Sequence, residues 1–168
     1  MRHLSRGFTL IEMIIVIVVL GIIAVTAAPR FLNVSSDSRI AALDGFVGAF
    51  RAADEMVRSK AIMHGMEYTL ERTQLPGTDL YVIFGHMNLK KEDVEKAMDV
   101  SGYSLLSVTD NSLFVSLRDD IKSSEDLSKL SKHGCYLFIK LPRPHNNEDG
   151  DITGNLLDHE ITKIYDGC

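Results

Sequence analysis

The chain has 168 residues, a hydrophobic fraction of 45% and a formal net charge of −5 at neutral pH. That length suits one compact domain with an additional segment. The acidic balance speaks against nucleic acid as a partner, because a phosphate backbone recruits cationic surfaces.

Charge is unevenly divided along the chain. In residues 1–30, Arg2, Arg6 and Arg30 outnumber the one carboxylate, Glu12, so the acidic surplus lies in the remainder. From Met13 to Ala28 no residue is charged. A helix over that span is about 24 Å long, and extending it back to Phe8 takes it past about 30 Å, enough to cross a bilayer once. No later stretch is long enough for a second crossing. Arg2 and Arg6, ahead of the apolar run, predict a cytoplasmic N-terminus.

A secretory signal would place a small-residue cleavage site after the apolar run. Here the basic leader MRHLSRG comes first, Gly7 precedes the apolar run, and no A-x-A-like site follows. A cut after Gly7 would remove the leader, leave the helix attached and put a new amine on Phe8. Glu12 lies four residues further on, about one helical turn away.

The stretch Gly7–Glu12, G-F-T-L-I-E, resembles the cleavage motif of type IV pilins and pseudopilins, and the helix MIIVIVVLGIIAVTAAPRFLN that follows resembles theirs more loosely. The resemblance implies that a prepilin peptidase cuts after Gly7 on the cytoplasmic side and N-methylates Phe8. It implies that subunits wait in the inner membrane and are then drawn into an extracellular helical filament with a core of N-terminal helices. A carboxylate in hydrocarbon costs a few kcal/mol (~3) and needs a partner. In such a filament, Glu12 of one subunit meets the Phe8 amine of its neighbour and sets the axial register. The resemblance also implies that the helix loosens between Gly21 and Pro29. Gly21 lowers helix stability by about 1 kcal/mol relative to Ala, and Pro29 removes a backbone donor. TAAPRFLN followed by SRIAALDGFVGAFRAA is most similar to mannose-sensitive haemagglutinin (MSHA) pilins, over roughly residues 7–53. That branch implies surface attachment, with a surface carbohydrate as a candidate receptor.

After Pro29, apolar residues recur at helical spacing: Ile40, Leu43, Val47, Phe50, Val57 and Ala61, with Asp54 interrupting the stripe. One helix from Phe8 to about His64 is expected, half membrane or filament core (8–29) and half amphipathic spine (30–64). Residues 65–79 read as loop. DLYVIFG (79–85) reads as a strand, and LKKEDVEKAMD (89–99) as a short helix with Asn88 as N-cap. YSLLSVT (103–109) and SLFVSLR (112–118) read as a hairpin turning at Asp110-Asn111. Residues 119–132, with Ile121, Leu127 and Leu130, suit a short helix. CYLFIKL (135–141) is a strand, PRPHNNEDGDITGN (142–155) a loop, and HEITKIY (159–165) a last edge strand.

The expected fold class is therefore α+β, the type IV pilin fold: a long N-terminal helix packed on a small antiparallel sheet. Residues 1–7 are the leader and 65–168 the globular head. Cys135 and Cys168, the only cysteines, are most simply one disulfide in an exported domain, with two free thiols as the alternative. The interval 135–168 then corresponds to the disulfide-bounded D-region of the family.

Enzyme signatures are lacking: no G-x-G-x-x-G, Walker A, G-x-S-x-G or H-E-x-x-H occurs. The six histidines, at 3, 64, 86, 133, 145 and 159, have no paired metal-ligand spacing. Residues 146–151 (NNEDGD) are rich in carboxylates but do not fit an EF-hand loop. No cofactor, metal or catalytic residue is expected. The expected function is a structural pilus subunit, with other pilin subunits and the prepilin peptidase as partners. The alternatives are a pseudopilin of type II secretion and a DNA-uptake or minor pilin.

Overall fold

The structure, a computed structural model, describes residues 8–119, 121, 123–141 and 158–168, with backbone alone for 28–33. It divides into two units, residues 1–38 and 39–168. One helix, α1 (Leu10–Met63), contributes to both and is helical through Gly21 and Pro29.

In the first unit, Leu10–Ala27 is a span of mean hydropathy 2.9 with none of it buried. Its one hydroxyl, on Thr26, donates to the Ile23 carbonyl at 3.0 Å, which leaves Glu12 as the one polar side chain of the span not bonded to the helix backbone within it. It is long and apolar enough to cross a membrane.

In the second unit the same helix has an interior face. Leu43, Phe46, Val47, Phe50, Val57 and Ala61 are buried, as the three-, four- and seven-residue spacings require. They pack on a four-stranded antiparallel sheet with its strands in chain order: β4 (Ser104–Thr109), β5 (Ser112–Ser116), β6 (Tyr136–Lys140) and β7 (Glu160–Ile164). Alternation sorts the side chains by face. Leu105, Leu113, Val115, Leu137 and Ile139 join the α1 core. Leu106, Phe114 and Tyr136 form a second cluster with Ile121 and with Leu127 and Leu130 of α3 (Leu127–His133).

The segment between α1 and the sheet departs from the expected pattern. Residues 79–85 are not one strand. β2 (Tyr81–Ile83) turns at Phe84-Gly85 into β3 (His86–Met87), and β1 (Thr73–Gln74), within the expected loop, pairs with β2. Both turn residues have positive φ, 52° and 75°, the geometry of a primed hairpin turn. A side chain at Gly85 would also meet the Glu67 backbone at 3.0 Å. Phe84 is the unusual member, a bulky residue in the left-handed region.

Helix α2 (Lys91–Ala97) is N-capped by Lys90 rather than Asn88. The Asn88 carboxamide oxygen instead accepts the Lys90 N–H at 2.9 Å. Asp93 of α2 is buried and holds Arg72 through two hydrogen bonds of 2.8 Å, with the guanidinium lying 3.4 Å from the Tyr81 ring centre.

Candidate functional site

The described chain begins at Phe8, which is fully open to its surroundings, and Gly7 lies outside the described residues. Glu12 reaches back to the start of α1. Its carboxylate accepts the Thr9 N–H at 3.0 Å and the Thr9 hydroxyl at 2.9 Å, while the Glu12 N–H approaches the Thr9 hydroxyl at 3.3 Å. This is a reciprocal capping box. It satisfies donors that the first helical turn otherwise leaves unpaired. The T-x-x-E pattern of residues 9–12 carries that signal, which the reading of Glu12 as a membrane anomaly passed over. In the single chain, therefore, Glu12 already has a local partner.

At the other end, Cys135 and Cys168 are joined by a disulfide, with Cα atoms 4.8 Å apart. It seats the C-terminus against the end of α3, where the Gly167 N–H donates to the Gly134 carbonyl at 2.9 Å. A Cβ on Gly167 would overlap the His133 carbonyl, so only glycine fits beside the bridge. Arg39 of α1 donates to the Cys168 carbonyl at 3.0 Å, and Asp44 of α1 accepts from Lys163 and Tyr165 of the terminal segment at 2.6 and 2.7 Å. The Lys163 ammonium, helped by the Tyr165 hydroxyl, holds the Asp44 carboxyl below its ordinary pKa. Burial, and then the neighbouring Asp44, push the Tyr165 phenol above its own. The acidic stretch 146–151 lies outside the described residues.

A third constellation went unseen in the sequence. Asp54, the interruption in the α1 stripe, is buried. One of its oxygens lies 2.8 Å from His86 Nδ1 and 3.1 Å from His159 Nδ1, and the other accepts the Met87 N–H at 2.8 Å. Burial works against the charged carboxylate, but the hydrogen bonds from His159 and His86 outweigh it and hold its pKa below the ordinary value. The three residues are far apart in sequence, and no spacing rule joins them. The available signal was the charged residue at a core position, which requires a buried partner.

Comparison with known proteins bears on the first of these features. Residues 2–28 match the family described as the prokaryotic N-terminal methylation motif. The chain is 43% identical over 49 residues to the major component of the type IV narrow pilus of Thermus thermophilus, covering 29% of this chain and 42% of that protein. It is 38% identical over 55 residues to the type IV major fimbrial protein FimA of Dichelobacter nodosus, covering 33% of this chain and 35% of that protein. It is 31% identical over 107 residues to a fimbrial protein of Pseudomonas aeruginosa, covering 64% of this chain and 61% of that protein. The chain thus spans less than two thirds of the length of each of these relatives. No solved structure matches it significantly. The methylation motif, the similarity to type IV pilus and fimbrial proteins and the long helix followed by a small antiparallel sheet together support the type IV pilin family.

Proposed function

We propose that the chain is a structural subunit of a type IV pilus and is not an enzyme. The observation that carries this reading is the methylation motif over residues 2–28, which contains a helical span, Leu10–Ala27, that buries none of its apolar surface within its own chain. Such a surface needs a lipid phase or neighbouring copies of itself. The precursor is held in the inner membrane with its N-terminus cytoplasmic, is cut after Gly7 by a prepilin peptidase, and is methylated on Phe8. Assembly then moves the apolar span from lipid into a bundle of like helices in a surface filament. The Glu12 carboxylate, hydrogen-bonded but still charged while it caps Thr9, exchanges that local partner for the Phe8 amine of a neighbour. Gly21 and Pro29 give the intervening helix its capacity to loosen on packing. The stretches 26–33 and 38–53 favour the MSHA-like branch and hence a role in attachment, with a surface carbohydrate as the partner class.

Mass spectrometry of protein sheared from the cell surface tests this. A chain beginning at N-methylated Phe8 is expected. A mature pool that retains Met1–Gly7 would overturn the processing reading, and processed chain confined to the cell envelope would favour a secretion pseudopilus instead. Glu12→Val is expected to spare membrane insertion and abolish filaments. Wild-type amounts of sheared filament from that variant would remove Glu12 from the mechanism.

A further inference from the structure

We propose that Asp54, His86 and His159 form a binding site for a divalent first-row transition metal ion, with zinc the best fit. The site goes beyond the filament role and does not depend on it.

Three elements converge to build the cluster. Asp54 comes from the core face of α1, His86 from the two-residue strand β3, and His159 from the residue before β7. One donor atom from each lies within 4.8 Å of the others. The rings stand edge to face with centres 5.1 Å apart. The cluster is shielded from water: the His86 and His159 side chains are 1% and 4% exposed.

Protein hydrogen bonds do not fill this cluster. Asp54 takes up both Nδ1 atoms, and both Nε2 atoms are buried without a hydrogen-bond partner among the described residues. With the ring protons on Nδ1, two buried lone pairs are left bare. With a proton on Nε2, a buried N–H has no acceptor. Either arrangement costs free energy that a purely structural contact would have no reason to accept. A cation held by one ring nitrogen of each histidine and the carboxylate would convert a buried site of surplus lone pairs into a ligand set and neutralise the buried negative charge.

The donor set selects the ion. Two imidazoles with one carboxylate is the composition of open zinc and non-haem iron(II) sites, of which zinc needs no reductant to keep its charge state, whereas calcium and magnesium demand oxygen ligands throughout. The Met87 N–H on the second Asp54 oxygen orients the carboxylate, as supporting hydrogen bonds do around bound metals. Asp54 and His159 border a cleft of about 280 Å³ also lined by Phe50, Arg51, Glu55 and Asp158. The Phe84-Gly85 turn, with its bulky residue at positive φ, is the device that places His86 there. Bound metal would clip the helix to the segment leading into the last strand, at the end of that strand opposite the disulfide.

The test uses the full chain in detergent micelles, stripped by a chelator and titrated with zinc in competition with a chromophoric chelator. Saturable binding of one zinc per chain is expected, unaffected by excess calcium, with zinc-edge X-ray absorption showing two imidazoles on the metal. His159→Gln and Asp54→Asn, checked for folding by circular dichroism, are expected to lose affinity by about 10- to 100-fold or more. Failure to bind zinc stoichiometrically overturns the site. Binding that survives in both variants, or a wild-type spectrum without two imidazoles, overturns it equally. The spectrum is read on unaltered protein and holds the proposal open to refutation if a variant fails to fold.

Discussion

The two units use the same kinds of residue to opposite ends. Between Leu10 and Ala27, isoleucine, valine and leucine cover the whole circumference of the helix and all lie exposed. Between Leu43 and Ala61, the large apolar residues other than Met56 keep to one arc, and that arc is buried. A helix that is apolar all round has no inside and outside of its own, so its surroundings must supply one. A one-sided helix finds its partner within the chain. The comparison teaches that a folded core and an uncovered apolar surface are separately encoded: the second unit carries the core, and the first carries apolar surface that its own chain leaves exposed.

Substitutions that act on one unit alone would break or sharpen this division. The largest stability effect is expected from Phe50→Ala, which empties a fully buried position. Denaturant unfolding of the folded chain should show a loss of about 3–5 kcal/mol. Val18→Ala, in the exposed span, should leave that transition unmoved. Equal losses from the two would mean that the apolar span contributes to folding.

Next comes the disulfide. Closing the 33-residue interval between Cys135 and Cys168 constrains the unfolded chain by about 3–4 kcal/mol on the loop-entropy account. Cys168→Ser should lower the unfolding midpoint accordingly and leave the processing of the N-terminus intact.

A smaller and more local effect is expected from Thr9→Ala, which removes half of the capping box. Amide exchange in the first turn of α1 should speed up several-fold, with no change in the unfolding of the second unit. Unchanged exchange would mean that Glu12 serves no local role in the single chain.

The smallest effect concerns pH. The native carboxyl of Asp44 is held below its unfolded value by Lys163 and Tyr165. Its contribution to stability is therefore complete above about pH 4 and is lost as pH falls through the lower native value. Asp44→Asn should cost slightly at neutral pH and nothing in strong acid. A difference that grew on acidification would reverse the sign and refute the linkage.

Much of this molecule is decided by local patterns. The charge-free run, the basic leader and the glycine before phenylalanine mark the first unit by composition and order alone. Short apolar and β-branched runs bounded by turn residues located β4, β5, β6 and β7, and Asp110-Asn111 the turn between the first two, because such side chains suit a half-buried pleated surface. The α1 stripe foretold which helical residues would be buried for the equivalent helical reason.

What the local pattern left undecided is where distant residues meet. The residues of β1 and β3 are too few to show a period, so they were read as loop or merged with β2. Asn88 has the chemistry of an N-cap, but the chain path put Lys90 in that place. Above all, Asp54, His86 and His159 share no spacing, since a buried charge can be compensated from any direction in space. Their meeting was settled only when α1, the β2–β3 hairpin and the last strand packed around one core. The sequence by itself determined the exposed span and the strands of the four-stranded sheet, because those depend on neighbours along the chain. The tertiary structure alone decided the buried polar cluster, because it depends on neighbours through space.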